Sequence, residues 1–199
     1  MVTIVDYGSG NLRSVQKAFE ELGEPARITD DPQVVSESTR VVLPGVGAFA
    51  DAMRALRDRG LVEPLVAHVR AEKPFFGICM GLQLLFDAGL EGGRHEGLGL
   101  LPGEVVRFER PAGVKVPHMG WNTVRWRADA PAAGHDDWYY FVHSYHARPA
   151  DESVVAAVTD YGGEFCSAVS RGRLFATQFH PEKSQAAGLR LLASFLGRG

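Results

Sequence analysis

Cysteine is scarce: Cys79 and Cys166 are the only two in 199 residues. A secreted disulfide scaffold uses more, and a chain of this length buries enough surface to do without them. Long apolar runs are missing too. The apolar opening, Val2 to Val5, stops at Asp6, too short for a leader or a span, and no later run approaches the roughly 18 residues that a span needs. Basic charge is not in excess: 21 Lys and Arg stand against 24 Asp and Glu, a net charge of −3. Nothing in that balance advertises a nucleic-acid or anionic-membrane partner. With 45% hydrophobic and 23% charged residues, the composition excludes a disordered chain. The expectation is a soluble cytoplasmic protein with reduced thiols. Glycine, by contrast, is abundant: 23 residues, about 12% where about 7% is usual, so tight backbone turns matter.

The first half alternates short apolar runs with amphipathic stretches. Val2 to Val5, Arg40 to Leu43 and Phe75 to Ile78 read as buried strands, with a weaker one at Ala26 to Thr29. Helical spacing covers Asn11 to Leu22 (Leu12, Val15, Phe19, Leu22), the stripe Phe49, Ala52, Met53 and Leu56, and Val62 to Ala71. A further helix is expected from Met80 to Phe86. In the second half, Val105 to Phe108, Asn122 to Trp126, Trp138 to Val142, Ser153 to Val158, Phe165 to Ser170 and Leu174 to Gln178 are strand-like. A last helix is expected from Ser184, as N-cap, to Leu196. The order predicts a three-layer α/β/α fold: a largely parallel central sheet, helices on both faces, and a mixed or antiparallel extension in the second half. One domain over residues 1–199 is expected.

The strongest local signal is Lys73-Pro-Phe-Phe-Gly-Ile-Cys-Met-Gly81. A strand runs into Gly77-x-Cys79-x-Gly81 and a helix follows, the pattern of a nucleophile elbow with Cys in place of Ser. The turn leaves no room for side chains beside the nucleophile, so both glycines are needed. The thiol then rises into the crevice at the carboxyl ends of the strands, where open α/β sheets bind ligands. A thiol nucleophile wants a base, and the base wants an orienting partner. Phe175-Ala-Thr-Gln-Phe-His-Pro-Glu182 offers both. Pro181 keeps His180 extended, and residues two apart in an extended chain project the same way, so Glu182 can hold the His180 imidazole. Acyl chemistry also needs an oxyanion hole. Pro44-Gly-Val-Gly47 lies between a strand and a helix, at the same sheet edge. Gly45-x-Gly47-x-x-Ala50 also fits a dinucleotide fingerprint, but it follows the second clear strand and no acidic residue closes a strand about 20 residues on. Gln83 is one helical turn beyond Cys79, where a carboxamide can meet a polar substrate.

These residues resemble those of the class I triad glutamine amidotransferases, and more closely the glutaminase subunits of imidazole glycerol phosphate synthase. The resemblance runs over essentially the whole chain. The elbow and the His180-Pro-Glu182 pair carry the superfamily. Asp6-Tyr-Gly-Ser-Gly-Asn-Leu12, Pro117-His-Met-Gly-Trp-Asn122 and the extension to Lys183-Ser184 carry the subfamily. The resemblance implies that Cys79 attacks the glutamine carboxamide, that His180 protonates the departing ammonia and then activates water, and that Glu182 orients His180. It implies an oxyanion hole from Val46, Gly47 and the amide of Met80. Gln83, Glu91, Ser144 and Tyr145 would contact glutamine; around Glu91 the local sequence, Asp87-Ala-Gly-Leu-Glu91, departs from the family pattern. Neither a cofactor nor a metal is implied.

The implied partner is a cyclase subunit of (β/α)8-barrel form, which would receive ammonia and release imidazole glycerol phosphate and an aminoimidazole carboxamide ribotide. Asn11, His118, Trp121 and Lys183 sit in motifs expected to face it. A glutaminase serving pyridoxal phosphate synthesis shares the triad but not the Pro117 to Asn122 motif. A stand-alone hydrolase of γ-glutamyl compounds would not need that surface, and a noncatalytic module would not need the intact triad. His143 and His146 make a poor metal pair, and His68, His95 and His135 read as surface positions. Cys166 reads as a small core residue.

Overall fold

The computed structural model describes residues 1–109, 114–127, 130 and 137–197. Its parallel half is built from Val2–Val5 (β1), Ala26–Thr29 (β2), Val41–Gly45 (β3), Phe75–Cys79 (β4) and Leu174–Thr177 (β13). They lie in the order β2-β1-β3-β4-β13, with every adjacent pair parallel. β1, β3, β4 and β13 are buried at every position, which is why their sequences are mostly apolar, with Thr3 and Thr177 the polar exceptions, rather than alternating.

Helices Leu12–Glu21 (α1), Pro32–Glu37 (α2), Phe49–Asp58 (α3) and Val62–Arg70 (α4) connect these strands. Val15 and Phe19 of α1 pack on one face of the sheet with Leu191 and Phe195 of the last helix, Gln185–Leu196 (α6). Val35, Phe49, Leu56 and Leu65 cover the other face, from α2, α3 and α4. The result is the expected three-layer α/β/α arrangement. Phe76 of β4 and Phe175 of β13 stack at 5.3 Å, and Phe195 meets Phe76 at 5.3 Å. This aromatic cluster ties α6 to the two strands that matter most below. Offset aromatic pairs contribute about 1 kcal/mol each beyond their buried area.

The second half adds the antiparallel part. Glu164–Arg171 (β12) pairs with β13 and with Tyr145–Pro149 (β10), and β10 pairs with Leu101–Arg107 (β7). Phe86–Gly89 (β5), parallel to β7, and His95–Glu96 (β6), antiparallel to β5, complete that edge. Val155–Asp160 (β11) joins β12 to His118–Trp126 (β8), which carries Asp137–His143 (β9).

Several expectations need correction. The helix after Cys79 (α5) spans only Met80–Gln83, and Phe86 begins a strand. Leu82, Leu84, Leu85 and Phe86 are all fully buried, so the run carries no period to separate helix from strand. α2 was not expected, although Asp31 caps it by accepting from the Gln33 N–H and Pro32 occupies its first turn. β10 was not expected either; Ala147 is its one fully buried residue, so its apolar signal is weak. His68 is buried, with Nε2 3.0 Å from the Pro74 carbonyl, and burial lowers its pKa. His95 is half-buried, and His135 lies outside the described residues. Cys166 is a buried thiol, pushed up to about 12 by burial.

Candidate active site

The register of three parallel strands sets the site. Gly45 of β3 pairs with Cys79 of β4, and Ile78 pairs with Thr177 of β13. The carboxyl ends of β3, β4 and β13 therefore open side by side. They deliver the 44–47 loop, Cys79 and His180 to one sheet edge.

Cys79 sits at φ +55°, ψ −104°, a backbone that L residues rarely adopt. The glycines beside it leave no alternative. A Cβ on Gly81 would stand 1.8 Å from the Leu43 carbonyl oxygen, and one on Gly77 would stand 2.7 Å from that of Gly81. A Cβ on Gly45 would stand 1.8 Å from the Tyr7 hydroxyl, which is buried directly beneath. Burial, and next the charge of Cys79 nearby, push the Tyr7 phenol far up. The elbow therefore follows from close backbone packing.

His180 is fixed from every side. Its backbone N–H donates to the Tyr140 carbonyl at 2.9 Å, and its carbonyl accepts from Ser184 Oγ at 2.6 Å. Ser184 Oγ in turn accepts from the Tyr140 N–H at 3.0 Å. Ser184 thus stands at the N-cap position of α6, but its hydroxyl is spent on His180 and Tyr140 rather than on the helix. Glu182 Oε1 accepts from His180 Nδ1 at 2.8 Å, with both side chains 2% exposed. That bond directs Nδ1–H at Glu182 and leaves Nε2 buried, without a close hydrogen bond, in the neighbourhood of Cys79. Burial opposes charge on this ring. The charge of the nearby Cys79 sulfur, and then Glu182, outweigh it and raise His180 to about 10.

A cavity of about 310 Å3 opens over the thiol. Val46, Gly47, Cys79, Met80, Gln83, Glu91, Ser144 and Tyr145, all singled out from the sequence, lie on its wall with Pro117, Val142 and His143. Glu91 Oε2 accepts from the Phe49 N–H at 2.9 Å, at the start of α3, where no N-cap side chain serves. Ser9 Oγ donates to the Val46 carbonyl at 2.6 Å, which ties the 44–47 loop to the segment after β1. Gln83 Nε2 donates to the Tyr145 carbonyl and to Gln178 Oε1, each at 3.0 Å. Both amide hydrogens are thereby used, so Gln83 can meet a ligand only through Oε1, as an acceptor.

The four residues placed in partner-facing motifs divide. Asn11 is exposed at the start of α1, and Trp121 is 44% exposed on β8. Lys183 is half-buried, its Nζ 5.8 Å from the centre of the Tyr140 ring. His118 differs from expectation: it is 2% exposed, between the rings of Phe141 and Tyr161. It pairs with His143 across β8 and β9, Nδ1 to Nε2 at 2.9 Å. Burial lowers the His118 pKa to about 4 and carries His143 well below its ordinary value. Residues pairing across 25 positions cannot be recognised from spacing. Gln178 was also missed; it stands two residues before His180, just past the end of β13.

The class-I glutamine amidotransferase family model matches residues 3–197. Imidazole glycerol phosphate synthase subunit HisH of Rhodopirellula baltica is 58% identical, with 98% of this chain and 96% of that protein covered. The Syntrophotalea carbinolica subunit of the same name is 55% identical, over 98% of each. A solved glutamine amidotransferase superposes with a TM-score of 0.78 at 22% identity, covering 100% of this chain and 98% of that one. PurLQS from Thermotoga maritima superposes with a TM-score of 0.75 at 20% identity, covering 98% and 97%. Those two likenesses speak to the fold alone. The matched span and the identities with the curated relatives show that this chain belongs to the class-I glutamine amidotransferase family, among the HisH subunits of imidazole glycerol phosphate synthase.

Proposed function

We propose that this chain is one amidotransferase domain over residues 1–199, the glutaminase subunit of an imidazole glycerol phosphate synthase. It hydrolyses glutamine to glutamate and ammonia and passes the ammonia to a cyclase subunit. The observation that carries the reading is His180, held by Glu182 at 2.8 Å at the same sheet edge as Cys79 on its strained elbow.

The chemistry follows from the geometry. The Cys79 sulfur adds to the carboxamide carbon of glutamine, and the oxygen takes up the negative charge. N–H groups of Met80 and of the Val46–Gly47 segment stabilise that oxygen. His180, charged at neutral pH, gives its Nε2 proton to the nitrogen as the carbon–nitrogen bond breaks. Ammonia leaves and a thioester remains. Neutral Nε2 then takes a proton from water as the water attacks the thioester. Carbon–sulfur cleavage returns Cys79 and releases glutamate. Glu182 keeps the ring in one tautomer throughout. Gln83 Oε1 accepts from an N–H of the bound glutamine, with Glu91, Ser144 and Tyr145 around it.

The acceptor reaction lies in the partner. Met119, Trp121 and Trp138, on the β8–β9 hairpin, are 62%, 44% and 55% exposed. Large apolar side chains grouped in solvent fit a docking surface, and Asn11 and Lys183 belong to it. His118 then serves from beneath rather than by contact. Among the described residues no helix is long and apolar enough to cross a membrane, and a cytoplasmic location is part of this reading.

The test is Cys79→Ala in the assembled synthase. Glutamine-dependent synthesis is lost and synthesis from added ammonium is kept. Loss of both activities in a folded complex contradicts the division of labour.

A further inference from the structure

Gln178 is fully buried between the nucleophile and Gln83. Its Oε1 accepts from Gln83 Nε2 at 3.0 Å, and its Nε2 donates to Cys79 Sγ at 3.7 Å. The two ends of this amide are not interchangeable. Gln83 Nε2 also donates to the Tyr145 carbonyl at 3.0 Å, and a carbonyl only accepts. Gln83 must therefore present its NH2 group to both neighbours. Gln178 must answer with its oxygen, which leaves its NH2 group for the sulfur.

The Tyr145 carbonyl is itself held. It accepts from His143 Nδ1 at 2.8 Å. That bond makes Nδ1 the protonated nitrogen, so His143 Nε2 accepts from His118 Nδ1 at 2.9 Å. His118 Nε2 then accepts from Asn122 Nδ2 at 3.2 Å. From Asn122 to Cys79 every donor and acceptor has one consistent assignment, and both imidazoles in the chain are neutral.

We propose that Gln178 is a positioning residue of the glutaminase, holding the Cys79 sulfur toward the cavity with a fixed N–H donor. The inference rests on the reaction proposed above. A cysteine side chain turns about one bond among staggered positions. A donor at a fixed point selects one of them. The same N–H meets the sulfur when the thioester carbon–sulfur bond breaks and the electron pair returns to sulfur, so it stabilises that departure.

The experiment uses the full chain with Gln178→Met, which keeps the length and removes the donor, and Gln178→Glu, which keeps the acceptor toward Gln83. Thermal melts establish that each is folded. Iodoacetamide labelling of Cys79, followed by peptide mass spectrometry, reads the sulfur without glutamine. Glutamate release in the assembled synthase gives kcat and KM. Each folded variant is expected to label more slowly and to lose roughly tenfold to a hundredfold in kcat, with KM for glutamine within about twofold. Labelling and kcat both within about twofold of the parent, in either folded variant, overturn the proposal, as does a rise in KM with unchanged kcat. If Gln178→Met does not fold, Gln178→Glu decides alone; if neither folds, Gln178 is structural and the proposal fails. If the parent releases no glutamate but labelling slows in the variants, the positioning contact stands and the glutaminase reading falls.

Discussion

Gly45 and Cys79 are register partners across two parallel strands, so the loop after β3 and the nucleophile of β4 leave the sheet together. The distance between Cys79 and the start of the 44–47 loop is thus set by the register of the two strands. It requires that nothing wider than a hydrogen atom project from Gly45, Gly77 or Gly81.

Gly81→Ala tests that requirement. The added methyl meets the Leu43 carbonyl at 1.8 Å, and backbone on both sides must move. A loss of stability of about 3 kcal/mol is expected, with a melting temperature lower by roughly 6–12 °C. Gly23→Ala, where no atom lies within 4 Å but φ is +76°, should cost less, about 1 kcal/mol. Thermal melts of the two variants make the comparison.

Ser184→Ala removes the hydroxyl that bridges the His180 carbonyl and the Tyr140 N–H. A partly buried donor, the Tyr140 N–H, loses its partner, at a cost of about 1 kcal/mol. The His180 backbone loses one of its two anchors, so kcat for glutamine should fall while KM changes little. A helix-capping defect would lower the melting point and leave kcat intact; kinetics beside a melt distinguishes the two.

Glu182→Gln keeps the shape and loses the charge. The ring's Nδ1–H then faces a neutral amide, which can present either its oxygen or its NH2 group, and the ring loses part of what raises its pKa. A drop in kcat of about a hundredfold or more is expected, with the His180 titration moved down in histidine-detected NMR. An unchanged titration contradicts the assigned role.

The buried pair His118 and His143 predicts a pH limit to stability. Their folded pKa values are depressed, so between about pH 6.5 and 4 the unfolded chain binds more protons than the folded one. Stability is fully present above pH 6.5 and is lost as pH falls toward 4. Urea unfolding at pH 7 and pH 4.5 should differ by an amount on the order of 2 kcal/mol from His118 alone. A flat profile across that window contradicts neutral burial of the pair.

Legibility in the sequence followed the physics of each part. β1, β3, β4 and β13 are buried on both faces, and amphipathic helices separate the first strands, so period and length identify them. The elbow is local: a strand, two glycines and a cysteine within five residues fix the geometry. Gln83 was legible from its one-turn spacing to Cys79 and Tyr145 only through resemblance; the bond between them spans 62 residues. His118 was placed at a surface because its motif borders one, and its pairing with His143 decides otherwise. Gln178 carries no local signal; its orientation comes from Gln83, which is 95 residues away. α2 shows the converse. Its Asp31 cap and Pro32 were present in the sequence, but the six-residue helix offers too little apolar period to be noticed.

The most direct measurement is glutamate release from glutamine by the purified chain, alone and then with the cyclase subunit and its ribonucleotide substrate. The account predicts slow release alone and a large increase when both are present, with Cys79→Ala inactive throughout. Rapid release by the chain alone, unchanged by partner and substrate, would contradict a partnered glutaminase and make this an independent hydrolase.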